Sequence, residues 1–133
     1  MLKEHAGKYY FEHNCNCAEA VLRGADAFYG MNLGAEDYKL LSAFGGGMGC
    51  GKACGAVCGA LAVIGKRNVK TVAHEEEGFK ELCAGFVAKA EEKLGSIECS
   101  DLVPRFKTEE RRCAATVELV SDILEEYLKE QGK

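Results

Sequence analysis

Several common signatures are missing from this sequence of 133 residues. It contains one proline and no Cys-x-x-Cys pair. A single proline argues against a loop-rich scaffold. The absence of a Cys-x-x-Cys pair weighs against a thioredoxin-type dithiol, a zinc ribbon and a c-type haem site. No Gly-Lys-Ser/Thr follows the glycine-rich residues 45–49, so this stretch does not predict a phosphate-binding loop.

Charge and hydropathy give no sign of nucleic acid, membrane or export. The net charge of -4 provides no electrostatic reason to expect nucleic acid. The apolar stretch over residues 53–65 is 13 residues long, whereas a membrane span needs roughly 17–25. Residues 1–10 lack the apolar core of a signal peptide. We therefore expect a cytoplasmic protein, and in a reducing compartment clustered cysteines indicate metal or redox chemistry.

Apolar residues recur at helical spacing along the chain, without the sustained alternation typical of strands. This pattern predicts one all-α domain over residues 1–133, a compact bundle of five to six helices around a central helix rich in glycine and cysteine. The predicted helices cover about residues 2–12, 17–29, 35–44, 50–64, 72–94 and 108–127, with a short helix opening after Cys99. The predicted N-terminal caps are Asn16 (with Glu19 in a capping box), Thr71 and Thr108, and the predicted stops are Gly30, Gly65 and Gly95.

Three of the eight cysteines recur every four residues, at Cys50, Cys54 and Cys58. This spacing predicts that they lie along one side of a helix, beside a stripe of glycines with the same interval. Cβ atoms four residues apart on a helix are about 5–6 Å from each other, whereas a disulfide needs roughly 3.5–4.5 Å. Metal or cluster ligation has no such restriction. We also expect another helix backbone to pass close to Gly55 and Gly59.

Cys17, Cys99 and Cys113 fall at or near predicted helix N-termini. Backbone N–H groups and the helix dipole lower the pKa of a thiol there, and Arg111 and Arg112 favour the thiolate of Cys113 further. Cys83 lies in an apolar stripe and is expected to pack as a small hydrophobic residue. The histidines, His5, His13 and His74, are isolated in the sequence and are not expected to be ligands.

The order of these motifs resembles a known family. Asn-Cys-Ala-Glu-Ala-Val-Leu at residues 16–22, Phe-Gly-Gly-Gly at 44–47, Cys-Gly-Ala-Val-Cys-Gly at 54–59, Gly-Ser-Ile-Glu-Cys at 95–99 and Cys113 are similar to the C_GCAxxG_C_C family of redox-active proteins, over about residues 8–125. The resemblance implies that the four family cysteines are Cys17, Cys54, Cys99 and Cys113. Similar domains occur in split-Soret cytochromes, so it also implies an iron–sulfur centre. This chain has no haem-attachment motif, and it adds Cys15, Cys50, Cys58 and Cys83 to the pattern.

The leading hypothesis is a cytoplasmic iron–sulfur protein that transfers electrons or performs redox chemistry with a protein partner. Its expected ligands are Cys17, Cys54, Cys99 and Cys113, with Cys50 and Cys58 next. A thiol–disulfide oxidoreductase that uses pairs of the same cysteines is the first alternative. A structural zinc protein is the second. The sequence is compatible with a homodimer. It decides neither the cluster type nor whether the protein is an enzyme.

Overall fold

The computed structural model describes residues 1–133, which form seven α-helices and no β-strand. The all-α class is confirmed, although the helices outnumber the predicted five to six. Their bounds are α1 Leu2–Glu12, α2 Cys17–Tyr29, α3 Ala35–Tyr38, α4 Gly55–Asn68, α5 Phe79–Leu94, α6 Cys99–Phe106 and α7 Ala114–Gln131. A 3₁₀ segment, Lys39–Phe44, and an irregular turn, Gly47–Gly51, lie between α3 and α4. No helix combines the length and the apolar character that a bilayer crossing requires.

Helix α2 packs closely between α1 and α4. A Cβ atom placed on Gly24 of α2 would stand 2.6 Å from the Cα atom of Ala6 in α1. On the other side, a Cβ atom on Gly59 of α4 would stand 2.6 Å from the carbonyl oxygen of Ala18. Helix α4 also packs against α5 and α7, so it occupies the central position predicted for the glycine-rich helix. The close approach predicted at Gly59 is confirmed.

The predicted start of α2 is confirmed in detail. The backbone N–H of Glu19 donates to Asn16 Oδ1 at 3.0 Å, and the backbone N–H of Asn16 donates to Glu19 Oε1 at 3.0 Å. Asn16 Nδ2 also donates to the carbonyl oxygen of Ser42 at 2.9 Å. The first two bonds satisfy backbone N–H groups that a helix start leaves unpaired, and the third ties the cap to the 3₁₀ segment. They also fix the position of Cys17, the first residue of α2.

The predicted course of α4 is wrong at both ends. The helix begins at Gly55 rather than at residue 50, because the residues from Gly46 to Gly49 all have positive φ angles between 64° and 74°. A right-handed helix cannot follow such a path. At the other end, α4 continues through Gly65 to Asn68. Cys50, Cys54 and Cys58 therefore do not share one side of a helix.

Helices α5 and α7 also begin later than predicted. Gly78 has a φ angle of 75° and precedes the first residue of α5, so residues 72–78 are not part of the helix. Thr108 does not cap α7, because it exchanges two backbone hydrogen bonds with Arg112 across a tight turn. Helix α7 then begins at Ala114. Its predicted apolar seam is confirmed at three positions: Val117, Val120 and Leu124 are fully buried.

Candidate functional site

Four cysteines lie at the N-termini of four different helices. Cys17 is the first residue of α2 and Cys99 the first of α6, while Cys54 and Cys113 immediately precede α4 and α7. The sequence predicted that Cys17, Cys99 and Cys113 lie at or near helix starts, whereas it placed Cys54 inside a helix. Each position places a thiol beside unpaired backbone N–H groups. We call these four residues the cysteine centre.

The structure brings the four thiols into one neighbourhood. Cys17 is close enough to Cys54, Cys99 and Cys113 for their charges to interact, and Cys99 is similarly close to Cys54 and Cys113. All eight cysteines of the chain are free thiols. No group of three or more His, Cys, Asp or Glu side chains is gathered tightly enough to hold a single metal ion. The centre is therefore a loose ring of thiols contributed by four segments.

Two glycines allow the thiol side chains to approach the backbone. A Cβ atom on Gly55 would stand 2.5 Å from Cys17 Sγ and 2.7 Å from the carbonyl oxygen of Phe44. A Cβ atom on Gly47 would stand 2.5 Å from the Cβ atom of Cys99. The two distances to cysteine atoms are shorter than the contacts that real Cβ atoms make, so any larger residue at Gly55 or Gly47 would displace a member of the cysteine centre. The close packing predicted at Gly55 is confirmed, and part of it is made by a thiol.

A short antiparallel bridge ties Cys54 to Cys99. The backbone N–H of Cys54 donates to the carbonyl oxygen of Ile97 at 2.7 Å, and the N–H of Cys99 donates to the carbonyl oxygen of Lys52 at 2.6 Å. Ala53 and Glu98 are paired between these two bonds. The bridge fixes the relative position of two thiols that are 45 residues apart in the sequence.

Cys113 is held by a tyrosine from the first helix. Its backbone N–H donates to Tyr10 Oη at 3.0 Å. Tyr10 is buried, and the Arg112 guanidinium lies 4.7 Å from the centre of its ring. Burial is the main factor that raises the pKa of Tyr10, and the charges of Cys113 and Cys17 raise it further. Sequence reasoning missed Tyr10, because no motif or spacing marks this residue.

Burial decides the protonation state of three thiols of the centre. It raises the pKa of Cys54 to about 12, although the N–H groups of Val57 and Ala56 act in the opposite direction. Burial also raises the pKa values of Cys17 and Cys99. The lowered pKa values predicted for Cys17 and Cys99 are therefore wrong, because removal from water outweighs the helix N-termini. At neutral pH these thiols keep their protons unless a positively charged group displaces them.

The remaining four cysteines differ in burial and in their polar neighbours. Cys50 is exposed on the Gly47–Gly51 turn. Cys58 lies one helical turn beyond Cys54, and burial alone raises its pKa; the same is true of Cys83 in α5. Cys15 is buried, and its sulfur accepts a hydrogen bond from Arg23 at 3.7 Å. The structure thus places the four cysteines that the resemblance implied near one another, each at a helix N-terminus. The roles of Cys50 and Cys58 as further ligands stay predictions.

The family model described as "Putative redox-active protein (C_GCAxxG_C_C)" matches residues 15–127. The chain belongs to this family. No curated protein and no solved structure matches the chain. All four thiols of the cysteine centre lie within the part that matches the C_GCAxxG_C_C model, whereas Tyr10 and the whole of α1 precede it.

Proposed function

We propose that this C_GCAxxG_C_C protein binds an iron–sulfur cluster at the cysteine centre and exchanges electrons with a redox partner. The proposed ligands are Cys17, Cys54, Cys99 and Cys113. The observation that carries the proposal is the convergence of these four thiols at the N-termini of four helices. Four cysteine sulfurs are the usual ligand set of such clusters. The bound cluster would supply the electron acceptor and donor.

The residues present fit this group in donor type and in surroundings. Thiol sulfur is the ligand atom that iron–sulfur clusters require, and a cluster of several irons accepts ligands that are more widely spaced than those of one ion. The backbone N–H groups of Gly46 and Ala18 point towards Cys17, and those of Val57 and Ala56 point towards Cys54. Hydrogen bonds to cluster and cysteine sulfurs stabilise negative charge and tune the reduction potential.

The position of the cysteine centre suits electron exchange with a protein. Cys54 is 4% exposed, whereas Cys99 and Cys113 are only half-buried. One edge of the centre thus lies near the surface, where a partner could approach. We expect a redox protein as that partner, with no nucleic acid and no membrane. We place the protein in the cytoplasm, where free thiols persist. Cys50, on its exposed turn, and Cys58, in α4, remain additional candidate ligands. The proposal is compatible with a monomer or a homodimer.

The pKa values favour the cluster over the first alternative. A thiol–disulfide oxidoreductase attacks through a thiolate, and catalytic cysteines have lowered pKa values. Burial raises the pKa values of Cys17, Cys54 and Cys99 instead. Iron would overcome the raised values by displacing the thiol protons. A structural zinc ion, the second alternative, would require the thiols to move closer together than they stand in this structure.

The decisive experiment is anaerobic purification followed by measurement of iron, acid-labile sulfide and zinc. We expect iron and sulfide in the wild type, and their loss in each of four variants: Cys17→Ser, Cys54→Ser, Cys99→Ser and Cys113→Ser. The control is Cys83→Ser, which changes a half-buried thiol outside the cysteine centre and should retain the wild-type content. Bound zinc without sulfide would support the structural alternative. Metal-free protein with reducible disulfides would support the oxidoreductase.

A further inference from the structure

Tyr10 places a hydroxyl group at the cysteine centre from outside the family pattern. The residue belongs to α1 and is 6% exposed. Its oxygen accepts the backbone N–H of Cys113 at 3.0 Å, across 103 residues of sequence. Negative charge on Cys113 or Cys17 raises the pKa of Tyr10, so both sulfurs lie within electrostatic range of the phenol. The phenol therefore contacts the backbone of one proposed ligand and lies in the neighbourhood of a second.

The phenolic hydrogen of Tyr10 has no acceptor in the protein. A phenol both accepts and donates hydrogen bonds. Its oxygen is used as an acceptor, and no protein atom accepts its own hydrogen, since the bond from Cys113 is the only one that it makes. Most buried polar atoms have at least one hydrogen-bond partner, and for Tyr10 Oη that partner is the N–H of Cys113, which leaves the phenolic hydrogen free to donate. A hydrogen that is directed to no protein acceptor and lies beside the proposed ligands is available to a group bound there.

The ring of Tyr10 is held in place from the outer side. The guanidinium of Arg112 lies 4.7 Å from the ring centre, and Arg112 itself is exposed with a φ angle of 52°. Such a cation–π contact restrains the ring without competing for its hydroxyl. The arginine and the bond from Cys113 together fix the phenol at the edge of the cysteine centre.

We propose that Tyr10 is a fifth protein group of the centre, which donates its phenolic hydrogen to a sulfur of the bound cluster on the side of Cys113 and Cys17. The inference rests on the proposed function, because the cluster supplies the acceptor. Tyr10 acts as a hydrogen-bond donor to the cluster and not as a ligand. Its donated hydrogen stabilises the reduced cluster more than the oxidised cluster, because the reduced state carries more negative charge.

The test compares the midpoint potentials of the cluster in Tyr10→Phe and Tyr9→Phe. Tyr9 is the neighbouring residue on α1, and its ring packs against Arg23 and His13 instead. Loss of a hydrogen bond to a charged sulfur should lower the equilibrium constant for reduction about tenfold in Tyr10→Phe, about 59 mV for a one-electron couple. Tyr9→Phe should keep the wild-type potential. Equal potentials in both variants and in the wild type would overturn the inference.

A second variant keeps the test valid if Tyr10→Phe loses its cluster. Replacement of Tyr10 by 3-fluorotyrosine keeps the ring and the acceptor oxygen and makes the phenol a stronger donor. The potential should then shift in the positive direction, and an unchanged or more negative value would contradict the proposal. Iron and sulfide analysis separates the proposal of a bound cluster from the proposal of a role for Tyr10. A wild type without cluster removes both of them, whereas a cluster with tyrosine-independent potential removes only the role of Tyr10.

Discussion

The contact between α4 and α2 can be tested with two glycines of the same helix. Gly59 and Gly65 both lie within α4. A Cβ atom on Gly59 would stand 2.6 Å from the carbonyl oxygen of Ala18 and 3.2 Å from its Cα atom. A Cβ atom on Gly65 would meet nothing closer than the ring of Phe79, at 3.9 Å. The same substitution by alanine should therefore have opposite effects at the two positions.

The expected magnitudes follow from these distances. Alanine in place of glycine inside a helix stabilises it by roughly 0.5–1 kcal/mol, and this gain should appear undiminished in Gly65→Ala. At Gly59 the new methyl group meets backbone that cannot rotate away, so an overpacking cost near the upper end of ~1–3 kcal/mol applies. Gly59→Ala should thus be less stable than the wild type by about 2 kcal/mol, and the two variants should differ by about 3 kcal/mol.

Urea unfolding of the reduced, metal-free proteins, followed by circular dichroism, measures both free energies. Because Ala18 directly follows Cys17, a displaced α2 should also lower the iron content of Gly59→Ala, while Gly65→Ala keeps it. Equal stabilities for the two variants, or a more stable Gly59→Ala, would refute the close packing of α4 on α2. A destabilised Gly59→Ala with full iron content would refute only the link between this packing and the cysteine centre.

Two further outcomes are expected. Gly47→Ala and Gly49→Ala both place a side chain at a positive φ angle, of 64° and 74°, and each should lose about 1–2 kcal/mol of stability. Only Gly47→Ala should also release the iron of the proposed cluster. A Cβ atom at Gly47 would stand 2.5 Å from the Cβ atom of Cys99, whereas one at Gly49 meets nothing within 4 Å. Equal iron contents would contradict this expectation. The metal-free protein should lose stability as the pH rises from about 9 to about 12, because the pKa of Cys54 is raised from 9.0 to about 12 in the folded state. The protonated thiol of Cys54 contributes about 4 kcal/mol to the free energy of unfolding, and this contribution is fully present below pH 9. Cys54→Ala should therefore show a shallower loss in alkaline urea titrations, and an identical slope would be evidence against the raised pKa.

Features with local signals could be predicted from the sequence. Asn16 and Glu19 are three residues apart and satisfy each other's backbone, so the start of α2 was predictable from this short segment. Cys99 begins α6, whose N-cap residue Glu98 makes no side-chain cap; Ser96 Oγ accepts the backbone N–H of Glu98 and donates to Asp101 instead. The course of α4 was not predictable, because a repeat of four residues imitates a helix. The left-handed turn before α4 also includes Met48, whose φ angle of 64° is unusual for a residue with a side chain.

Features that depend on distant residues gave no local signal. Thr108, followed by two glutamates, has the composition of a helix cap, but its backbone pairs with Arg112 instead. Tyr10 meets Cys113 only because α1 folds against α7. The raised pKa of Cys54 follows from burial, which depends on the packing of the whole bundle. The helix starts at Cys17 and Cys99 were thus predictable. The position of Cys54 before α4, its raised pKa and the contact between Tyr10 and Cys113 were not.

The bridge between residues 52–54 and 97–99 closes the segment that contains α4 and α5. This closed segment starts at Cys54 and ends just before Cys99, and backbone hydrogen bonds join its two ends. The connection between α4 and α5, residues 69–78, is largely exposed and contains no α-helix. Doubling the length of such a connection costs only about 0.6 kcal/mol of closure entropy. Insertions there should therefore leave both thiols in place.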